Sequence, residues 1–310
     1  MKEEQEAAMK ISYNSWAYSS FFVWVPSYTL DETIKRLASI GYDGIEIGAA
    51  APHAYPAHLT AERRREVRAL LDKHGLALSS MLPAPSGGPG NNPASPYVEE
   101  RRQTIEHYKE LVALCAEWGG KTLIYLPGWA IFGTTRRQAW KWSREALTEI
   151  ADAAAEHGVT LVIEPTAHDT NLCESGEDAI ELMEDVGADN VKLMFDTFHA
   201  LYRHEVMSDY VYRMGKNLRH IHISDNDRLP PGAGYGDFPG LVDALIDVGF
   251  DGYLTMETGF HRRGIEPDRD ARLGLEYLRP LVETKLRARK ASAKTRPADG
   301  RAAGAGAVRH

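Results

Sequence analysis

The sequence predicts a (β/α)8 barrel, and three observations carry that prediction. Helical segments with apolar residues three and four apart alternate with short apolar runs. A glycine turn joins helix to run at seven points: Gly41, Gly75, Gly119-Gly120, Gly158, Gly187, Gly215 and Gly249. Glycine is favoured there because a helix commonly ends on a left-handed residue. Seven joints added to one opening strand make eight strand–helix units, spread over the roughly 250 residues such a barrel needs.

Taken in order, residues 1–9 are polar and read as a flexible N-terminus. Ile11 to Tyr13 is the first strand, followed by the ring-rich loop Ser15 to Trp24. That loop, which holds Trp16, is either a plug over the barrel bottom or one wall of a substrate pocket. The remaining strands are expected at Gly44–Ile47, Leu76–Leu78, Thr122–Tyr125, Val159–Ile163, Val191–Phe195, Leu218–His222 and Tyr253–Met256. Two connections after strands are longer than a scaffold needs. One is Ala49 to Pro56, which carries His53, and the other is Pro83 to Pro96, with Gly87-Gly88-Pro89-Gly90-Asn91-Asn92. Both belong to the C-terminal face of the barrel, where loops line the site, although plain connectors would satisfy the same pattern. The last helix is expected from Asp268 to Arg289, and residues 290–310, rich in Ala, Gly, Lys and Arg, read as a disordered tail. Residues 10–289 then form one catalytic domain.

Composition narrows the function. The chain has 310 residues, 43% hydrophobic and 26% charged, an ordinary globular balance. Its net charge of −8 supplies no positive field for a phosphate backbone, so nucleic acid is not an expected partner. Cys115 and Cys173 show no pairing or metal-binding spacing, which fits a reducing cytoplasm. No apolar stretch approaches the ~18 residues of a membrane span, and the charged start lacks an apolar leader core, so a cytoplasmic protein is expected.

The chemistry concentrates in Leu161-Val162-Ile163-Glu164-Pro165. A carboxylate at the end of an apolar strand has lost most of its water and needs a cation or a proton. Three later strands end in Asp196, His222 and Glu257. Any one of these is as well explained by a buried ion pair or a capped loop. All four at the same barrel mouth point to one metal site. Three carboxylates and one imidazole suit Mn²⁺, Mg²⁺ or Co²⁺ better than structural zinc, and leave two octahedral positions for substrate oxygens. His199, three residues after Asp196, and Arg228, six after His222, are placed to grip a substrate over the metal; for Arg228 a surface salt bridge is the alternative. Trp129, closing the run Tyr125 to Trp129, reads as a stacking wall for a ring.

In their contexts IEP, FDTFHA, HIHISDNDR and TMETG, these residues resemble the xylose-isomerase-like sugar isomerase and epimerase family. The ketose 3-epimerases within it are similar over nearly the whole barrel, Ile11 to about Leu286. The resemblance implies that Glu164, Asp196, His222 and Glu257 hold Mn²⁺, Mg²⁺ or Co²⁺. It also implies that Glu164 and Glu257 exchange a proton with the sugar carbon from opposite faces. A departure stands at Thr170, where the epimerases carry a substrate-gripping glutamate; this chain has instead His168, four residues after Glu164. With SYNSWAYSS, PHAYP, GPGNN and PGW, that departure is most similar to the α subunits of bacterial C-glycoside deglycosidases. Their likeness implies cleavage of the sugar–aryl carbon bond of 3-oxo-C-glycosides, a small β subunit in a hetero-oligomer, and His168 as acid or base toward the phenol. The 3-epimerase reading uses the same proton abstraction. A zinc endonuclease of the same barrel type would want more His and Asp at the mouth and a basic groove. A non-catalytic binding barrel would not need the intact four-residue set.

Overall fold

The computed structural model describes residues 9–19, 27–83, 92–259 and 266–295. The expected flexible N-terminus apart from Met9, Phe21 to Trp24 of the aromatic loop, Gly87 to Asn91 of the third-strand loop, and residues 296–310 lie outside the described residues.

Eight parallel strands close into one barrel in chain order. They are β1 (Lys10–Asn14), β2 (Gly44–Ala49), β3 (Ala77–Pro83), β4 (Thr122–Tyr125), β5 (Thr160–Ile163), β6 (Val191–Asp196), β7 (Leu218–Ile223) and β8 (Tyr253–Met256). Closure is made by β1, which pairs Asn14 with Glu46 of β2 and Tyr13 with Met256 of β8. The helices between them are α1 (Leu30–Ile40), α2 (Ala61–His74), α3 (Val98–Glu117), α4 (Arg136–Glu156) and α5 (Gly176–Val186). They continue with α6 (Thr197–Tyr202), α7 (Met207–Met214), α8 (Phe238–Asp247) and α9 (Pro267–Thr295).

The helices begin and end where local chemistry allows. Thr29 opens α1 with a reciprocal capping box to Glu32, Ile34 and Leu37 turn inward at helical spacing, and Gly41 ends the helix at φ +108°. A side chain with a Cβ is strained at that angle. The other predicted turn glycines likewise have positive φ, Gly120 excepted. Full burial of a side chain such as Leu37 contributes about 1.5–3 kcal/mol.

Three expectations are corrected. β3 runs on to Pro83, past the expected end at Leu78, because Ser80 turns into a polar barrel interior and is no end signal there. Two short helices, α6 and α7, replace the single one expected between β6 and β7. The last helix continues through residues 290–295, which the sequence reading assigned to a disordered tail.

Strand alternation divides the side chains between two faces. Outward residues such as Ile45, Leu123, Leu161, Phe195 and Leu254 join the helices in one core. The inward face is split. Trp16, Leu82, Ile124, Val162 and Met194 form an apolar cluster on one side. Ser12, Asn14, Glu46, Ser80, His220, His222 and Thr255, all buried, form a polar one on the other. Cys115 and Cys173 are both free and buried. Among the described residues no helix is long and apolar enough to cross a membrane.

Candidate metal centre

Glu164 follows β5, Asp196 ends β6, His222 lies one residue before the end of β7, and Glu257 follows β8. Parallel strands put these four positions on one rim, as the sequence required. Their ligand atoms lie within 4.8 Å of one another, and all four residues are buried. His222 stands in the middle: its Nδ1 is 3.1 Å from Glu164 Oε1 and 3.0 Å from Glu257 Oε2. Asp196 divides its work, with Oδ1 accepting the Phe198 N–H at 2.8 Å to cap α6 and Oδ2 facing the cluster.

Arg228 reaches the same cluster. Its guanidinium is buried, donates to Glu257 Oε2 at 2.7 Å and to Asp196 Oδ2, and lies 4.3 Å from the centre of the Phe198 ring. A surface salt bridge is thereby ruled out for this residue. The backbone that delivers it is unusual, with Asp227 and Arg228 both at φ 57°. The preceding Asp225 anchors the following loop by accepting the N–H groups of Gly232, Gly234 and Gly236.

Burial raises every carboxylate here, and the neighbouring charges decide how far. Glu164, opposed only in part by His222, is pushed up to about 7. At Glu257 the same burial is outweighed by Arg228 and His222, which hold it at about 2. Asp196 is raised by burial despite Arg228. His222, though buried, is raised well above the usual histidine range by Glu257, Glu46 and Glu164. The cluster thus holds more negative charge than its two cationic partners relieve comfortably.

The donor set fits a hard or borderline divalent cation. It offers three carboxylates and one imidazole nitrogen, His222 Nδ1, while the other ring nitrogen is engaged 2.9 Å from Glu46 Oε1. Sulfur is absent from the set, and both described cysteines are buried thiols elsewhere.

The other predicted site residues spread around this centre. His199 is buried beside Asp196 on α6, accepts the His168 N–H at 3.3 Å, and is lowered to about 3 by burial, so its ring is neutral. His168 itself is exposed, edge-on to Phe198 and Tyr202. Thr170 turns its hydroxyl back to Thr166 Oγ1 at 2.9 Å. Trp16 is no barrel-bottom plug: it lies in the apolar half of the interior and covers Gly48 on β2. Trp129 is half-buried in the loop that follows β4, its backbone clasped by Asn92. His53 stands apart from the four ligands, its Nε2 on the Tyr28 carbonyl, in a hollow of about 300 Å³ shared with Tyr55 and Arg63.

Sequence reasoning missed Glu46, Asn14 and His220, which pack beneath the centre. Glu46 carried the same signal as Glu164, a lone carboxylate in an apolar run, but in mid-strand in place of a strand end.

Comparison with known proteins places this geometry. Residues 34–281 match the sequence profile of the family described as Xylose isomerase-like TIM barrel. The chain is 26% identical to fructoselysine 3-epimerase of Shigella flexneri over 259 residues, covering 82% of this chain and 93% of that protein. It is also 26% identical to D-psicose 3-epimerase of Enterocloster bolteae, covering 82% and 84%. Among solved structures, an L-ribulose 3-epimerase superposes with a TM-score of 0.78 at 22% identity, covering 93% of this chain and 100% of that one, which speaks for the fold.

Proposed function

The chain belongs to the xylose isomerase-like TIM barrel family, and from that premise we propose that it is a divalent-metal-dependent sugar epimerase, acting as a ketose 3-epimerase. One observation carries the reading. Two buried carboxylates, Glu164 and Glu257, flank the same imidazole at 3.1 and 3.0 Å, and their surroundings differ, burial raising Glu164 while Arg228 and His222 hold Glu257 low. Carboxyls separated in this way are suited to opposite halves of a proton exchange. The similarity to fructoselysine and D-psicose 3-epimerases supports the same chemistry.

Glu164, Asp196, His222 and Glu257 would hold Mn²⁺, Mg²⁺ or Co²⁺, with Mn²⁺ the first choice for reconstitution. Once bound, that cation polarises the sugar ketone and makes the neighbouring C–H acidic. One glutamate takes the proton from the carbon beside the ketone, and the other returns a proton to the opposite face. Atoms and charge balance, since the product is an isomer. Arg228, tied to Asp196 and Glu257, and the neutral His199 supply donors toward the sugar oxygens. Trp16 forms the apolar floor, Trp129 a side wall, and His53 a contact toward the far end of a longer substrate.

The test is to incubate the lone chain with Mn²⁺ and D-psicose, D-tagatose or fructoselysine in D₂O and follow the products by NMR. Epimer formation with one deuterium at the inverted carbon is expected. Inversion without deuterium would remove the proton-exchange mechanism.

A second reading, a carbon–carbon lyase on 3-oxo-C-glycosides acting with a β subunit, draws on one local observation. Thr170 turns back to Thr166, while His168 stands beside His199 at the mouth. Supplying a 3-oxo-C-glucoside with and without the protein encoded next to this chain separates the two readings. Aglycone release that needs the neighbour would favour the lyase, and its absence alongside ketose epimerisation would retire it.

A further inference from the structure

Beneath the four ligands, Glu46 is fully buried in the middle of β2. Four donors converge on its carboxylate: Asn14 Nδ2 at 2.7 Å, Ser80 Oγ, His220 Nε2 at 2.9 Å and His222 Nε2 at 2.9 Å. His220 is in turn held by Thr255 Oγ1 at 3.0 Å and Ser80 Oγ at 3.2 Å. His222 apart, nothing in the proposed reaction uses these groups, yet burying an ionised carboxylate in mid-barrel is costly unless it is fully hydrogen-bonded.

We propose that Glu46 and Asn14 form a positioning pair that sets the geometry of the metal centre. An ionised carboxylate only accepts hydrogen bonds, so the His222 nitrogen facing Glu46 carries the ring proton. With a cation in place of the proton on Nδ1, that nitrogen's lone pair would face the four-ligand side, and the ring plane is held. Asn14 extends the same control to a second ligand, since its Nδ2 lies 2.7 Å from Glu46 Oε1 and 3.4 Å from Glu257 Oε1. Its Oδ1 accepts the Trp16 N–H at 2.8 Å, which ties the pair to the floor of the pocket. Two ligands from strands β7 and β8 are thus oriented from strands β1 and β2, across the closure of the barrel. Glu46, His220 and His222 also lie within 4.8 Å of one another, but the Glu46 oxygens are occupied by hydrogen-bond donors, so this trio supports the site above it and is not a second metal site.

The inference rests on the metal-dependent reading above, and Co²⁺ binding tests the two separately. Wild type, Glu46→Gln and Asn14→Ala are titrated with Co²⁺ by calorimetry, with the visible absorption of the bound ion recorded. Loss of such outer partners typically weakens metal affinity about 10- to 100-fold, and that loss, with a shifted absorption band, is expected for Glu46→Gln. Asn14→Ala is expected to weaken binding about 10-fold. Thermal unfolding of the metal-free proteins identifies any variant that is merely less stable. A dissociation constant within about twofold of wild type, with an unchanged band, overturns the proposal even where stability falls. Should Glu46→Gln fail to fold, Asn14→Ala decides by the same criterion. Failure of the wild type to take up Co²⁺ would instead remove the metal-dependent reading itself.

Discussion

Glu164 and Glu257 show how far neighbours can separate two identical side chains. Both are buried at strand ends, but Arg228 stands 2.7 Å from Glu257 while Glu164 has His222 as its main counter-charge. Replacing either by glutamine removes a proton carrier with little change in shape, and a loss of about 10²–10⁴-fold in turnover is expected, read as deuterium incorporation into the ketose. Activity near wild type in either variant would contradict the paired exchange. The pH dependence follows from Glu164. Its carboxyl, raised by burial to about 7, favours the metal-free fold below the ordinary glutamate range, and that contribution is lost as pH rises through about 7. A cation must displace this proton and the one on His222 Nδ1, so Mn²⁺ affinity is expected to rise at least about tenfold per pH unit up to about pH 7 and to go on rising above it. Calorimetry on either side of that value checks it, and a flat profile would show Glu164 already ionised before metal arrives.

At the scale of the element, the strand ends were legible in the sequence because burial and strand termination are local signals. Apolar runs broken by Glu164-Pro165, Asp196 and Glu257 announce both the end of a strand and a charge that needs a partner. The end of β3 was not legible, because Ser79-Ser80 reads as a polar exit until Glu46 is known to lie opposite Ser80. Gly48 on β2 has its own reason. A Cβ there would sit 1.6 Å from Trp16 Nε1 and 1.9 Å from its Cδ1, so the indole lies flat on a strand that must lack a side chain. Gly48→Ala is expected to cost about 1–3 kcal/mol, measured by urea denaturation, with Trp16 displaced from its seat on β2. An unchanged midpoint and slope would mean that the ring moves aside freely.

Over the whole molecule, the proposed metal centre would link stability to divalent cation. A cation that binds only the folded chain adds about 2.7 kcal/mol at a hundredfold excess over its Kd, which for a chain of this size raises Tm by about 5 °C. Removing divalent ions with EDTA is expected to lower Tm by that amount and Mn²⁺ to restore it, as followed by circular dichroism; a Tm indifferent to both would speak against the metal centre. The comparisons favour the epimerase over the carbon–carbon lyase that His168 and Thr170 suggested, since the 3-epimerase relatives align with 82% of this chain at 26% identity. What the sequence by itself determined was the barrel, its order of strands and the four candidate ligands at one rim, because helix period, glycine turns and strand-end carboxylates are written in neighbouring residues. Only the tertiary structure decided what holds those ligands. Glu46 meets His222 across 176 residues of chain and Asn14 meets Glu257 across 243, and hydrogen bonds of that span form only when the barrel closes.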